Sequence, residues 1–159
     1  MPTVQRLGSR LGKVLVSILV LLWSIYGVIN GFAESHVNQS VTQVMSLAGV
    51  TFDLEVPQTP EAYKLGLMHR AKLPEHGGML FRFTPPQVVH FWMKECLMPL
   101  DIVFLRDGAI QKIQASAPPC RESPCPVYSS DSPVDMVIEL KAGTAQKLGL
   151  QVKRHGESK

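Results

Sequence analysis

The chain has 159 residues, 45% of them hydrophobic and 18% charged, with a formal net charge of +3. That is one domain's length, too apolar for a disordered tail and too sparsely charged for a long coiled coil. Three of the 16 basic residues, Arg6, Arg10 and Lys13, precede the first acid, which leaves a body with 13 basic and 13 acidic residues and no electrostatic reason to meet nucleic acid.

After Lys13, residues 14–29 carry no charge, and 20 uncharged residues separate Lys13 from Glu34. A basic start, an apolar stretch and small residues at Gly31 and Ala33 spell a secretory signal peptide cleaved after Ala33. The same segment is also long enough to be a retained anchor, an N-terminal hydrophobic helix holding the chain to the membrane through residues 14–33. Both readings keep the positive end inside. Residues from Glu34 onward then lie on the periplasmic or extracytoplasmic face, secreted or membrane-anchored. Residues 34–49 read as a linker, in which Val37, Val41, Val44 and Met45 form a weak series fit for a short helix. The body is 50–159.

Within the body, residues 51–56 alternate, with Phe52, Leu54 and Val56 on one side, as in a half-buried strand. Thr59-Pro60-Glu61 is a helix start, and that helix is expected to bury Tyr63 and Leu67 and to end near residues 68–70. Pro74 and Gly77-Gly78 break the chain before a strand from Met79. Thr84-Pro85-Pro86 is read as a turn, followed by a strand over 88–93. Residues 101–105 and 109–115 flank Asp107-Gly108, a favoured hairpin pair. A Pro/Ser-rich loop spans 116–133, a strand spans 134–140, and a short helix opens at Gly143-Thr144 and closes at Gly149. A final edge strand is expected at 150–153. The sum is an α+β domain: mainly antiparallel, barrel-like and compact, with two short helices.

Cys120 and Cys125 sit five positions apart in the Pro-rich loop. In an oxidising compartment they can close a small disulfide that restrains it. Zinc is the rival reading, but a single C-x4-C pair lacks a second ligand pair and no His lies in the loop. Cys96 is left over, either as a buried small apolar residue or as a reactive thiol.

The segments Gly66-Leu67-Met68-His69-Arg70, Gly78-Met79-Leu80-Phe81-Arg82-Phe83, Phe91-Trp92-Met93-Lys94-Glu95-Cys96-Leu97-Met98-Pro99-Leu100-Asp101-Ile102-Val103-Phe104 and Ile138-Glu139-Leu140-Lys141-Ala142-Gly143 together resemble the domain-of-unknown-function family 192. That family's pattern runs GLM-x-R, GMLF, FWMKNT-x-x-PLD-x-x-F and LE-x-x-x-G. The match covers roughly residues 51 to 155. The resemblance implies a compact β-rich domain, often behind a signal peptide, with no established activity. One departure stands out: Glu95-Cys96 replaces the usual Asn-Thr.

Arg70, His90, Trp92, Lys94, Glu95, Asp101, Tyr128 and Glu139 are the polar or amphipathic residues set among apolar segments. Alternation puts His90, Trp92 and Lys94 on one side, a possible cleft wall with Trp92 as a platform for a flat ligand. Arg70, His90, Trp92, Lys94 and Asp101 are the candidate ligand-binding set. Asp101 and Arg70 also suit a structural ion pair between helix and sheet. Glu139, out of phase with Ile138 and Leu140, is expected to be exposed or paired across strands. His69 and His76 have only Glu75 nearby and make a poor metal site, so no metal or cofactor is expected. Phosphate-cradling loops, H-E-x-x-H and G-x-S-x-G are missing from the sequence.

The leading expectation is a non-catalytic binding or accessory domain for a small polar ligand, an envelope glycan or another exported protein. The alternative is a small hydrolase or transferase using Asp101 or Glu139 with Lys94 and Arg70, favoured if the two carboxylates converge across a cleft. A third reading gives Cys96 a thiol redox role.

Overall fold

The structure is a computed structural model, and it describes residues 40–152. The apolar segment at 14–33, with its readings as signal peptide, anchor or hydrophobic helix, lies outside the described residues. Among the described residues, no helix is long and apolar enough to cross a membrane.

Strands β1 (Ser40–Leu47) and β2 (Val50–Pro57) form an antiparallel hairpin over Ala48 and Gly49. The φ angles of those two residues, 50° and 83°, are both left-handed, as a two-residue type I′ turn demands. Half of the expected linker is therefore sheet. Its apolar residues do not keep a period of two: Val41 and Val44 are exposed while Met45 and Leu47 are partly covered.

Helix α1 (Pro60–Leu65) follows β2. The Thr59 hydroxyl accepts from the Ala62 N–H at 3.1 Å, and Pro60 opens the first turn. The helix stops short of residues 68–70 because Gly66, at φ 51° and ψ −130°, turns the backbone out of helical geometry. Strand β3 (Gly77–Gln87) then lies parallel to β2, from Asp53 opposite Gly77 to Glu55 opposite Met79. Parallel neighbours need a crossover connection, and α1 lies within it.

The remaining strands are β4 (His90–Trp92), β5 (Leu100–Arg106), β6 (Ala109–Ala117), β7 (Val127–Ser129) and β8 (Val134–Lys141). Helix α2 (Thr144–Lys147) comes last. Asp107 and Gly108 turn β5 into β6 with φ angles of 50° and 73°, the expected hairpin. Six strands make one sheet in the order β1-β2-β3-β8-β5-β6, and β4 pairs with β7 in a separate ribbon. Every pairing except β2 with β3 is antiparallel.

Three corrections follow. The sheet is open, with β1 and β6 at its edges, and is not closed into the expected barrel-like form. β3 continues through Thr84-Pro85-Pro86, its ladder to β8 interrupted between Arg82 and Gln87. Residues 150–152 form no strand; instead, the Leu150 N–H donates to the Ala145 carbonyl at 2.9 Å.

The central strands are covered on both sides. On one face Phe52, Leu54, Leu80, Val103, Ile138 and Leu140 form a cluster; on the other, Met79, Phe81, Ile102, Phe104 and Val137 form a second with Leu67, Val89 and Met93. Burial of both faces sets the chemistry of any polar residue on these strands. Gly78 brings β3 and β8 close together. A Cβ there would lie 2.4 Å from the Glu139 carbonyl oxygen and 3.0 Å from Leu54 and Leu140 side-chain carbons.

Asp101 is fully buried on β5 and is used structurally. Its Oδ1 accepts from the Ser116 N–H at 2.7 Å and the Gly143 N–H at 3.1 Å, and its Oδ2 from the Ala145 N–H at 2.8 Å. The N-cap of α2, Gly143, has no side chain to cap with, so Asp101 supplies the acceptor from another strand. The expected bridge to Arg70 is not made, because Arg70 pairs with Glu55. Asp101→Ala would leave three amides without this acceptor and should cost about 3 kcal/mol or more in denaturant unfolding. A variant with an unchanged unfolding midpoint would contradict this role.

Candidate functional site

A half-open cleft of about 490 Å³ lies over the face of the sheet that carries Phe81. Its walls come from three places. The α1 end gives Tyr63, Lys64, Gly66 and Leu67, β3 gives Phe81 and Phe83, and β4 with the residues before it gives Val89, His90, Phe91 and Trp92. Cys96, Glu139, Leu65, Met68 and Gln87 complete the lining.

The rings hold one another edge to face. Phe81 and Phe91 have centroids 5.1 Å apart at 80°, and Tyr63 stands 5.8 Å from Phe81 at 65°, the geometry that matches positive ring edges to negative faces. The Tyr63 hydroxyl donates to the Arg82 carbonyl at 3.1 Å, which ties α1 to β3. Trp92 is 45% exposed at the rim, with Lys94 Nζ 5.4 Å from its ring centroid. The alternation read from sequence is present: His90, Trp92 and Lys94 are exposed, while Val89 and Met93 are buried and Phe91 is partly covered.

Glu139 is the unexpected member. It sits on β8 opposite Met79 of β3 and Ile102 of β5 and is only 5% exposed. Its Oε2 is buried and has no hydrogen-bond partner among the described residues. Burial pushes the carboxyl up to about 8, against a smaller downward pull from the Arg70 charge. Nearby, the buried Cys96 thiol is pushed up to about 11, by burial first and by the Glu139 charge second. A nucleophilic or redox thiol needs the opposite shift and ready access.

Of the five ligand-binding candidates, the cleft takes His90 and Trp92. Lys94 stacks on Trp92 outside the lining, and Asp101 serves α2. Arg70 is paired end-on with Glu55, with Nη2 to Oε2 at 2.8 Å and a second contact from Nη1 to Oε1. That pair holds the Glu55 carboxyl below its usual range and ties the segment after α1 to β2.

The two carboxylates of the hydrolase reading do not converge. Asp101 stands opposite Leu140 in the ladder, whereas Glu139 stands opposite Ile102, so alternation sends their side chains to opposite faces. Tyr128, opposite Phe91 on β7, packs against the cluster under the cleft. Glu95 turns away in a left-handed conformation at φ 57°, its carboxylate 3.3 Å from His69 Nε2. Of the two departures from the family pattern, only Cys96 touches the cleft.

The Cys120 and Cys125 sulfurs are at disulfide distance, 2.10 Å. Among the described residues, no group of three or more His, Cys, Asp and Glu side chains is placed to hold a metal ion.

Sequence reasoning missed Tyr63, Gly66, Phe81, Phe83 and Phe91 as lining residues, and it placed Glu139 as exposed or paired. Only one signal was available: Phe81 and Phe83 recur at strand spacing after the GLM segment, which puts two rings on one face.

Two solved structures are similar. A protein of unknown function from Novosphingobium aromaticivorans DSM 12444 is 31% identical, with a TM-score of 0.63, covering 74% of this chain and 84% of that one. A protein from Sinorhizobium meliloti 1021, provisionally described as a transcription regulator, is 35% identical, with a TM-score of 0.59, covering 71% and 88%. Comparison with curated proteins finds no match. The model of the DUF192 family, described as Uncharacterized ACR, COG1430, matches residues 42–155. That span takes in every residue lining the cleft, and the chain belongs to this family.

Proposed function

We propose that the body of this chain is an exported, non-catalytic binding module, and that its site is the aromatic cleft ending at Glu139. The observation that carries the proposal is the buried, unpartnered Oε2. An unsatisfied buried oxygen costs free energy that a polar group on a ligand would offset. Aromatic and apolar walls around very few polar groups are the usual make-up of a small-molecule site, and the cleft falls within the usual range of about 300–1,000 Å³.

Export is supported by the basic, apolar leader and by two sulfurs at disulfide distance, since such a bond persists in oxidising compartments. The hydrolase reading loses its support from the opposed faces of Asp101 and Glu139, and the thiol reading from the buried, raised Cys96.

Benzyl alcohol, a small aromatic probe with one hydroxyl, should shift the amide resonances of Gly66, Phe81 and Phe91 in an NMR titration. Trp92→Ala, which opens the rim without emptying the floor, should weaken that binding several-fold while leaving the fold intact. Shifts confined to other parts of the molecule would contradict the assignment.

A second prediction concerns pH. The Glu139 carboxyl titrates near 8 in the fold against 4.5 when unperturbed. Between those values the folded chain holds a proton that the unfolded chain releases. Stability from this group is therefore complete below about pH 4.5, falls as pH rises, and levels off above about pH 8. Relative to Glu139→Gln, the natural protein should lose about 1 kcal/mol per pH unit across this window in denaturant unfolding. A difference independent of pH would show that Glu139 titrates normally.

A further inference from the structure

We infer that the cleft selects cations, taking an ammonium head attached to a small apolar body, with the charge against the Glu139 carboxylate and the flanks against the rings of Tyr63, Phe81 and Phe91. The inference rests on the reading of the cleft as a ligand site and names the class of ligand it takes.

Geometry leads to it in three steps. First, Glu139 belongs to the lining of the cleft, beside Gly66. Gly66 has no side chain, and a Cβ at that position would stand 3.9 Å from Glu139 Oε2 and 3.6 Å from Phe81 Cζ. Those are ordinary contact distances, so a methyl-sized gap beside both the ring and the oxygen is left by a glycine whose φ of 51° also favours glycine. Second, the walls are aromatic, and ring faces carry negative potential that attracts cations and repels anions. Third, the positive charge coupled to Glu139, that of Arg70, is already committed. Arg70 is held in a two-pronged pair with Glu55 and exerts only the smaller pull on Glu139, less than the effect of burial, while Lys64 and His90 are exposed side chains of the lining.

Glu139 has few charged neighbours on any side. The segment after α1 contributes Arg70, with Glu55 on β2; α1 contributes Lys64; β4 contributes His90; and the β4–β5 connection contributes Cys96. Its ladder partners Met79 and Ile102 are apolar. An ammonium group brought against this carboxyl would favour its charged form and draw its proton off to solvent. A quaternary ammonium ligand, which cannot titrate itself, should therefore bind more tightly as pH rises through the Glu139 transition near 8.

The test uses the full chain and three probes with one ring each: benzyltrimethylammonium, benzyl alcohol and phenylacetate, titrated by NMR or calorimetry. Benzyltrimethylammonium affinity should rise about tenfold between pH 7 and pH 9, as the ionised fraction of Glu139 goes from about one tenth to about nine tenths. Benzyl alcohol affinity should stay level, and phenylacetate should bind most weakly at the upper pH. Glu139→Gln should abolish the tenfold rise.

If the cation binds no better than the alcohol at pH 9, or if phenylacetate binds best, cation selectivity is overturned while the cleft remains a ligand site. A rise that persists in Glu139→Gln would assign the titration to another group and would also overturn it. If none of the probes binds, both the cleft and its selectivity fall. The pH series on the natural protein stands by itself should the Gln variant fail to fold.

Discussion

Water solvates a carboxyl group better than almost any protein interior does, so a Glu side chain under a sheet must either find hydrogen-bond donors or stay protonated. Glu139 follows the second course, and much of the architecture sets that up. Its strand lies in the middle of the sheet, between β3 and β5, with apolar layers on both faces. Gly78 lets β3 close against the Glu139 backbone. On the side-chain face, Phe81, Phe91 and Tyr63 hold one another edge to face and leave a cleft whose lining includes the acid.

Asp101 and Glu139 come from neighbouring strands and show two outcomes of the same burial. Asp101 receives three backbone N–H groups and joins β5 to the end of β6 and the start of α2. Every donor it meets belongs to the protein, so its chemistry is spent on the fold. Oε2 of Glu139 meets no donor among the described residues, and its hydrogen-bonding capacity is left unused in a residue that lines the cleft. Such unsatisfied polarity costs the fold some stability.

Local rules read well from sequence. Thr59-Pro60 capped a helix and Asp107-Gly108 turned a hairpin, because each depends on the conformational limits of two or three residues. The two Cys in the Pro-rich loop have their sulfurs at bonding distance, and the long central segment carried the family. Other features depended on partners far away in the chain. β1 was hidden because Val41 and Val44 face outward from an edge strand. The barrel-like expectation failed because alternation marks strands without saying whether the first and last of them meet. Glu139 was misplaced for a related reason. Being out of phase with Ile138 and Leu140 means solvent only when one face of the sheet is bare, and here both are covered. The aromatic lining comes from three separate segments, and no spacing within one segment announces their convergence.

The protonation state of Glu139 links the burial, the cleft and the proposed choice of ligand. Carbon-13 labelling of glutamate side chains, with the Glu139 carboxyl resonance assigned by comparison with Glu139→Gln, would follow that proton directly across the pH range. The account predicts a single inflection near pH 8. An inflection near 4.5, where an ordinary solvated glutamate titrates, would mean that water or another partner already satisfies the carboxyl, and the central claim would be wrong.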